Sequence, residues 1–147
     1  MSKKILKLTI HRGTHEIGGT CVELATESTR ILIDIGLPLV DEDGQSFKLG
    51  NYFNLNKAEL VERKIAKDIL GLYREDKYNK PPDAILISHS HPDHYGLLPF
   101  VKPDIPLYLS EGCQELIKAT YYFRGLDSFL KTTEIVENQK SVSIGDF

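Results

Sequence analysis

Cysteine is scarce in this chain of 147 residues: there are two, Cys21 and Cys113, far apart and without C-x-x-C spacing. Neither a disulfide framework nor a thiolate zinc site is indicated, and both read as small core residues. No apolar run approaches the roughly 18 residues that a membrane span needs. The opening Met1-Ser2-Lys3-Lys4-Ile5-Leu6-Lys7 breaks its hydrophobics with lysine too early for an export signal, so a cytoplasmic protein is expected. Net basic charge is also missing. Lys and Arg total 18 against 21 Asp and Glu, a net charge of −3, which excludes a globally basic nucleic-acid coat but not a local phosphate site. What remains is ordinary: 41% hydrophobic residues in one domain's length, enough for a real core.

Leu6, Leu8 and Ile10 alternate with Lys7, Thr9 and His11, the period of a half-buried strand that turns its leucines inward and His11 outward. The glycine-rich segment Gly13-Thr14-His15-Glu16-Ile17-Gly18-Gly19 must then turn sharply or pass close to something. Thr20 to Ala25 and Ile31-Leu32-Ile33 follow as two more strands, completing a meander. Asp34 stands where the third strand meets a loop. Asn56-x-x-Glu59 reads as a helix start, and Ala58, Val61, Ile65, Ile69 and Leu72 predict one long amphipathic helix ending near Gly71. Ala84 to Ile87 reads as a fully buried strand, and Ile105 to Leu109 as another, placed toward the sheet edge by Pro106. Ser110 caps a helix with Cys113, Leu116, Ile117, Thr120 and Tyr121 on one face, closed by Gly125. Ser141 to Phe147 reads as a strand running into a turn. A meander followed by strand–helix alternation predicts an α/β fold with a mixed sheet and flanking helices.

The chemistry gathers after the buried strand, in Ser88-His89-Ser90-His91-Pro92-Asp93-His94-Tyr95-Gly96. Three of the five histidines fall within six residues, and composition alone yields the full H-x-H-x-D-H match only about 4 times in 10,000. In extended backbone His89 and His91 point the same way, and Pro92 then bends the chain so that Asp93 and His94 face a neighbouring point. Imidazole with carboxylate suits zinc, iron or manganese, and such a set with an open position is catalytic in character rather than structural.

His89-x-His91-x-Asp93-His94 with Gly96-Leu97-Leu98-Pro99 resembles the signature of the metallo-β-lactamase superfamily. The resemblance implies an αβ/βα sandwich with a di-zinc site, manganese being an alternative. It assigns His89 and His91 to one metal, Asp93 and His94 to the other, and Asp93 to catalysis as well. Asp34 resembles the buried aspartate that supports those histidines. The Gly13 to Cys21 loop, Gly71-Leu72-Tyr73 and Ala84 to Pro99 are similar to the ribonuclease J and β-CASP branch, which puts His15 and Glu16 beside a substrate. RNA or another phosphodiester is the implied substrate.

No histidine follows His94, whereas the family carries further metal ligands in its second half. Residues 1–147 are therefore expected to be the N-terminal part of one such domain, ending before those motifs. Its uncovered inner face should associate with the missing half or with a second copy. Two other functions stay open at this stage: hydrolysis of a small thioester, lactone or lactam, and a non-catalytic half-domain in protein association. A lactamase proper is disfavoured by the absent export signal. Arg63, Lys64, Lys67, Arg74, Lys77 and Lys80 make a locally basic stretch that suits either a phosphodiester backbone or a solvated helix face.

Overall fold

A computed structural model describes residues 5–40, 44–46, 52–77, 80–126, 129–130 and 132–147, so the first four residues of the export-signal reading lie outside it. Among the described residues six strands form one mixed sheet in chain order: β1 (Lys7–Arg12), β2 (Cys21–Ala25), β3 (Arg30–Ile33), β4 (Ala84–Leu86), β5 (Leu107–Leu109) and β6 (Thr133–Ile135). The first three are antiparallel, and β3 to β6 run parallel. The helices are α1 (Lys57–Glu62), α2 (Pro92–Tyr95) and α3 (Glu111–Phe123), with a 3₁₀ turn at Leu98–Phe100. This is the α/β architecture with flanking helices that the residue pattern predicts.

Register explains which residues make the core. Leu32 pairs with Ile85 and Ile85 with Leu107, so all three lie on one face of the pleat, buried against Leu60, Leu72 and Ile117. Each such side chain stabilises the fold by roughly 1.5–3 kcal/mol on full burial. The opposite face carries Leu8, Ile10, Val22, Leu24, Ile33 and Leu86. Here the expectation for β1 fails: Leu8 is 59% exposed and Ile10 49%, because the helices pack on the other side of the sheet. His11, expected outward, is half-buried, with Nε2 3.2 Å from Glu23 Oε2.

The long helix is also corrected. The Asn56 capping box forms as read, with Glu59 N–H donating to Asn56 Oδ1 at 3.0 Å and Asn56 N–H to Glu59 Oε2 at 2.9 Å. The helix nevertheless stops at Glu62, since Lys64 adopts φ 55° and both Ile65 and Ala66 N–H groups donate to the Leu60 carbonyl. Ile65, Ile69 and Leu72 still reach the core, through irregular turns. The basic stretch is consequently not a helix face.

β5 lies inside the sheet rather than at its edge. Pro106 precedes the strand, so its missing N–H removes no ladder bond, and its carbonyl accepts from Ile85 N–H. β6 was not anticipated. The chain end is no strand: Ile144 and Phe147 exchange backbone bonds at 2.8 and 3.0 Å, closing a turn whose polar groups need no ladder. Asp146 fastens that turn to the β2–β3 connection, accepting from the Thr26 and Ser28 hydroxyls.

Candidate metal centre

The histidine segment lies at the C-terminal ends of the parallel strands, where an α/β sheet opens crevices for ligands. β4 ends at Leu86, residues 87–91 continue without regular structure, and His91 is the N-cap of α2 with Pro92 inside its first turn. Proline suits that place because the first helical N–H groups have no partner to lose. The bend expected at Pro92 is thus a helix start that turns Asp93 and His94 back toward β3.

Two backbone bonds join this segment to the loop after β3, and two more tie both to Thr20. Ile35 N–H donates to His94 O at 2.7 Å, Leu37 N–H to Pro92 O at 3.0 Å, Thr20 N–H to Asp93 O at 3.1 Å, and Gly36 N–H to Thr20 O at 3.0 Å. The packing is so close that a Cβ on Gly36 would fall 1.7 Å from the Asp93 carbonyl oxygen. Gly18, with φ 81°, brings the first loop to the same place, its missing Cβ site being 3.1 Å from Asp93 Cβ. Only glycine allows those two approaches.

Asp34 is 2% exposed and holds φ 60°, a left-handed conformation that Asp and Asn tolerate better than other side chains. Its carboxylate is fully engaged. Oδ1 accepts Ser88 N–H at 2.8 Å, and Oδ2 accepts the Ser88 hydroxyl at 2.8 Å and His94 Nδ1 at 2.7 Å. Of the three motif histidines expected beside Asp34, His94 meets it directly, and Ser88 stands between Asp34 and His89. Ser88 was missed as a contributor, although its place beside His89 in the motif was a signal.

With Nδ1 committed to Asp34, His94 presents Nε2, which stands 3.5 Å from Asp93 Oδ2. Ligand atoms on a tetrahedral zinc ion with bonds of about 2.0–2.1 Å are roughly 3.3 Å apart, so this pair fits one ion. The ring centroids of His89 and His94 are 3.8 Å apart, and those of His89 and His91 4.7 Å. The four motif side chains are therefore neighbours. Among the described residues, however, no three His, Cys, Asp or Glu side chains form a group able to hold one ion. His15 is exposed on its loop, and Glu16 is bound to Arg12 Nη2 at 2.7 Å. Both cysteines are free and buried, as expected, and burial above all, then the charges of Glu23 and Asp34, pushes the Cys21 thiol up to about 12. Such a thiol is inert.

Residues 16–107 match the metallo-β-lactamase superfamily, and residues 68–147 a β-lactamase superfamily domain. The chain belongs to the metallo-β-lactamase superfamily. Ribonuclease J of Helicobacter pylori (strain ATCC 700392 / 26695) is 27% identical over 150 residues, covering 99% of this chain and 19% of that protein. Probable RNase MJ4 of Methanocaldococcus jannaschii is 30% identical over 128 residues, covering 85% of this chain and 22% of its own length. The chain thus spans about a fifth of the curated relatives it matches. A crystal structure of a protein of unknown function from Enterococcus faecalis V583 superposes on 97% of this chain and 36% of its own, with a TM-score of 0.70 at 20% identity. The fold expectation is borne out, as is the likeness to ribonuclease J. Superfamily membership implies use of a divalent metal. No helix among the described residues is long and apolar enough to cross a membrane.

Proposed function

We propose that the protein containing this chain is a di-zinc hydrolase of phosphodiester bonds whose substrate is RNA, with manganese able to replace zinc, and that it works in the cytoplasm. In this reading His89 and His91 hold one ion, and Asp93 and His94 the other. The observation that carries it is the His94 arrangement: Nδ1 spent on buried Asp34 and Nε2 facing Asp93. A carboxylate on the far nitrogen is how metal-binding imidazoles are commonly oriented and made more basic. Relatives named ribonuclease J and probable RNase support the substrate class. We place the remaining ligands outside these 147 residues, since the described donors converge only in part and this chain covers only 19% and 22% of those two relatives.

A bound divalent ion supplies Lewis acidity toward a phosphoryl oxygen and makes water acidic enough to attack near neutral pH. The chain's own residues do the positioning. Asp34 fixes the His94 ring, the Gly36 and Thr20 backbones fix Asp93, and Asp93 accepts a hydrogen bond from the attacking water and aims it. The test is hydrolysis of 5′-labelled RNA with zinc or manganese by the protein that contains this chain. Asp93→Ala should lower kcat on the order of 10²–10⁴-fold with little change in KM, because the lost interaction acts in the transition state. The 147-residue chain alone should show no appreciable turnover. Undiminished kcat in Asp93→Ala would remove that residue from the reaction.

A further inference from the structure

The Ser88 hydroxyl is the only group described that touches both Asp34 and two of the motif imidazoles. Its Oγ lies 2.8 Å from Asp34 Oδ2, 3.1 Å from His89 Nδ1 and 3.2 Å from His94 Nδ1. A hydroxyl has one proton to donate and two lone pairs with which to accept, so these three contacts cannot all run the same way.

The directions follow in order. Asp34 carboxylate oxygens only accept, so the 2.7 Å contact with His94 places the proton on His94 Nδ1. Ser88 therefore cannot donate to His94. Its proton goes either to Asp34 Oδ2 or to His89 Nδ1, and the ionised acceptor at the shorter distance wins, because charge-assisted bonds are roughly twice as strong as neutral ones. The second bond between the same two residues, Ser88 N–H to Asp34 Oδ1 at 2.8 Å, holds the serine in that orientation. With its proton on Asp34, Ser88 Oγ faces His89 Nδ1 as an acceptor. That contact is a hydrogen bond only if His89 carries its proton on Nδ1.

We infer that Ser88 is a positioning residue that sets the tautomer of His89: it relays the Asp34 carboxylate to His89 Nδ1–H and so leaves Nε2 as the metal-binding atom. Asp34 then orients two imidazoles, His94 directly and His89 through one hydroxyl, and both turn Nε2 outward from the same carboxylate. The consequence for metal rests on the reading given under Proposed function. The tautomer itself does not, and this separates the two in experiment.

The ¹⁵N-labelled chain, freed of metal with a chelator, is examined by long-range ¹H–¹⁵N correlation at about pH 8, where an ordinary imidazole is neutral. His89 should show a protonated Nδ1 and a bare Nε2, against the free imidazole's preference for Nε2–H. Ser88→Ala should return His89 toward Nε2–H while His94, bonded directly to Asp34, keeps its proton on Nδ1. Ser88→Thr, which retains the hydroxyl, should keep the wild-type pattern at both. Zinc affinity should fall about tenfold in Ser88→Ala and recover in Ser88→Thr, the size usual for loss of a group that orients a ligand. An Nε2–H form of His89 in the wild type, or a tautomer unmoved by Ser88→Ala, overturns the inference. Should Ser88→Ala disturb His94 as well, Ser88→Thr decides: a retained Nδ1–H at His89 upholds the relay and its loss refutes it. A wild-type chain that binds no zinc defeats the metal reading, while the spectra still judge the relay.

Discussion

At the scale of single residues, the candidate centre depends on one position with no room for a side chain. Gly36 lets the Asp93 carbonyl approach until a Cβ would sit 1.7 Å from it, against backbone that is itself pinned by four hydrogen bonds. Gly36→Ala should therefore displace Asp93 and His94 together. We expect a loss of stability of about 1–3 kcal/mol, the usual cost of overpacking, and at least a tenfold loss of zinc affinity, read by thermal unfolding and calorimetric titration. Wild-type affinity in that variant would show that the segment can relax without moving its ligands. The gathering of these side chains was legible in the sequence, because the spacing His89-x-His91-x-Asp93-His94 brings them to one bend. Their wiring was not. That Asp34 meets His94 directly and His89 only through Ser88 depends on where α2 turns the chain, and no local pattern encodes a contact across 60 residues.

At the scale of elements, α1 begins in a network of charge at Lys57. Lys57 Nζ lies 2.6 Å from Asp76 Oδ1 and 2.7 Å from Asp68 Oδ1, and 5.4 Å above the Tyr73 ring. Burial by itself raises the Asp76 carboxyl, but Lys57 and the Tyr73 N–H outweigh it and leave the group below its ordinary value. A carboxyl lowered in the folded state adds stability above its unfolded value, near pH 4, and that stability fades as pH falls through the folded value. Asp76→Asn should therefore flatten the acid limb of the stability curve below about pH 4, measured by urea unfolding at stepped pH. An unchanged acid limb would mean that the pair contributes nothing net. The same region shows why the long helix was misread. The apolar spacing through Leu72 reports which residues are buried, and it is correct about Ile65, Ile69 and Leu72. It cannot report that Lys64 turns left-handed, a choice fixed by the tertiary fit of Ile65, whose carbonyl accepts from the guanidinium of Arg12 at 2.5 Å. β6 escaped notice for a related reason: three residues, two of them exposed, carry too little hydrophobic pattern to be seen.

At the scale of the whole molecule, the sheet is packed on one face, and the β1 edge of the other face is open. Leu6, Leu8 and Ile10 are each about half exposed or more, and an apolar patch of this kind drives association. Leu8→Lys with Ile10→Lys should raise solubility and reduce binding of an apolar dye while lowering the melting temperature little; a large loss of stability would show that this face is covered in solution. The His89 to His94 segment lies at the C-terminal ends of the parallel strands of this sheet. The proposed chemistry requires that segment to bind metal. The most direct measurement is a zinc titration of the purified chain, followed by calorimetry at two pH values, alongside the His89→Ala, His91→Ala double variant. Saturable binding that strengthens with pH is expected, because protons and metal compete for the same ligand atoms, and its loss is expected in the variant. Equal zinc uptake by both proteins would contradict it.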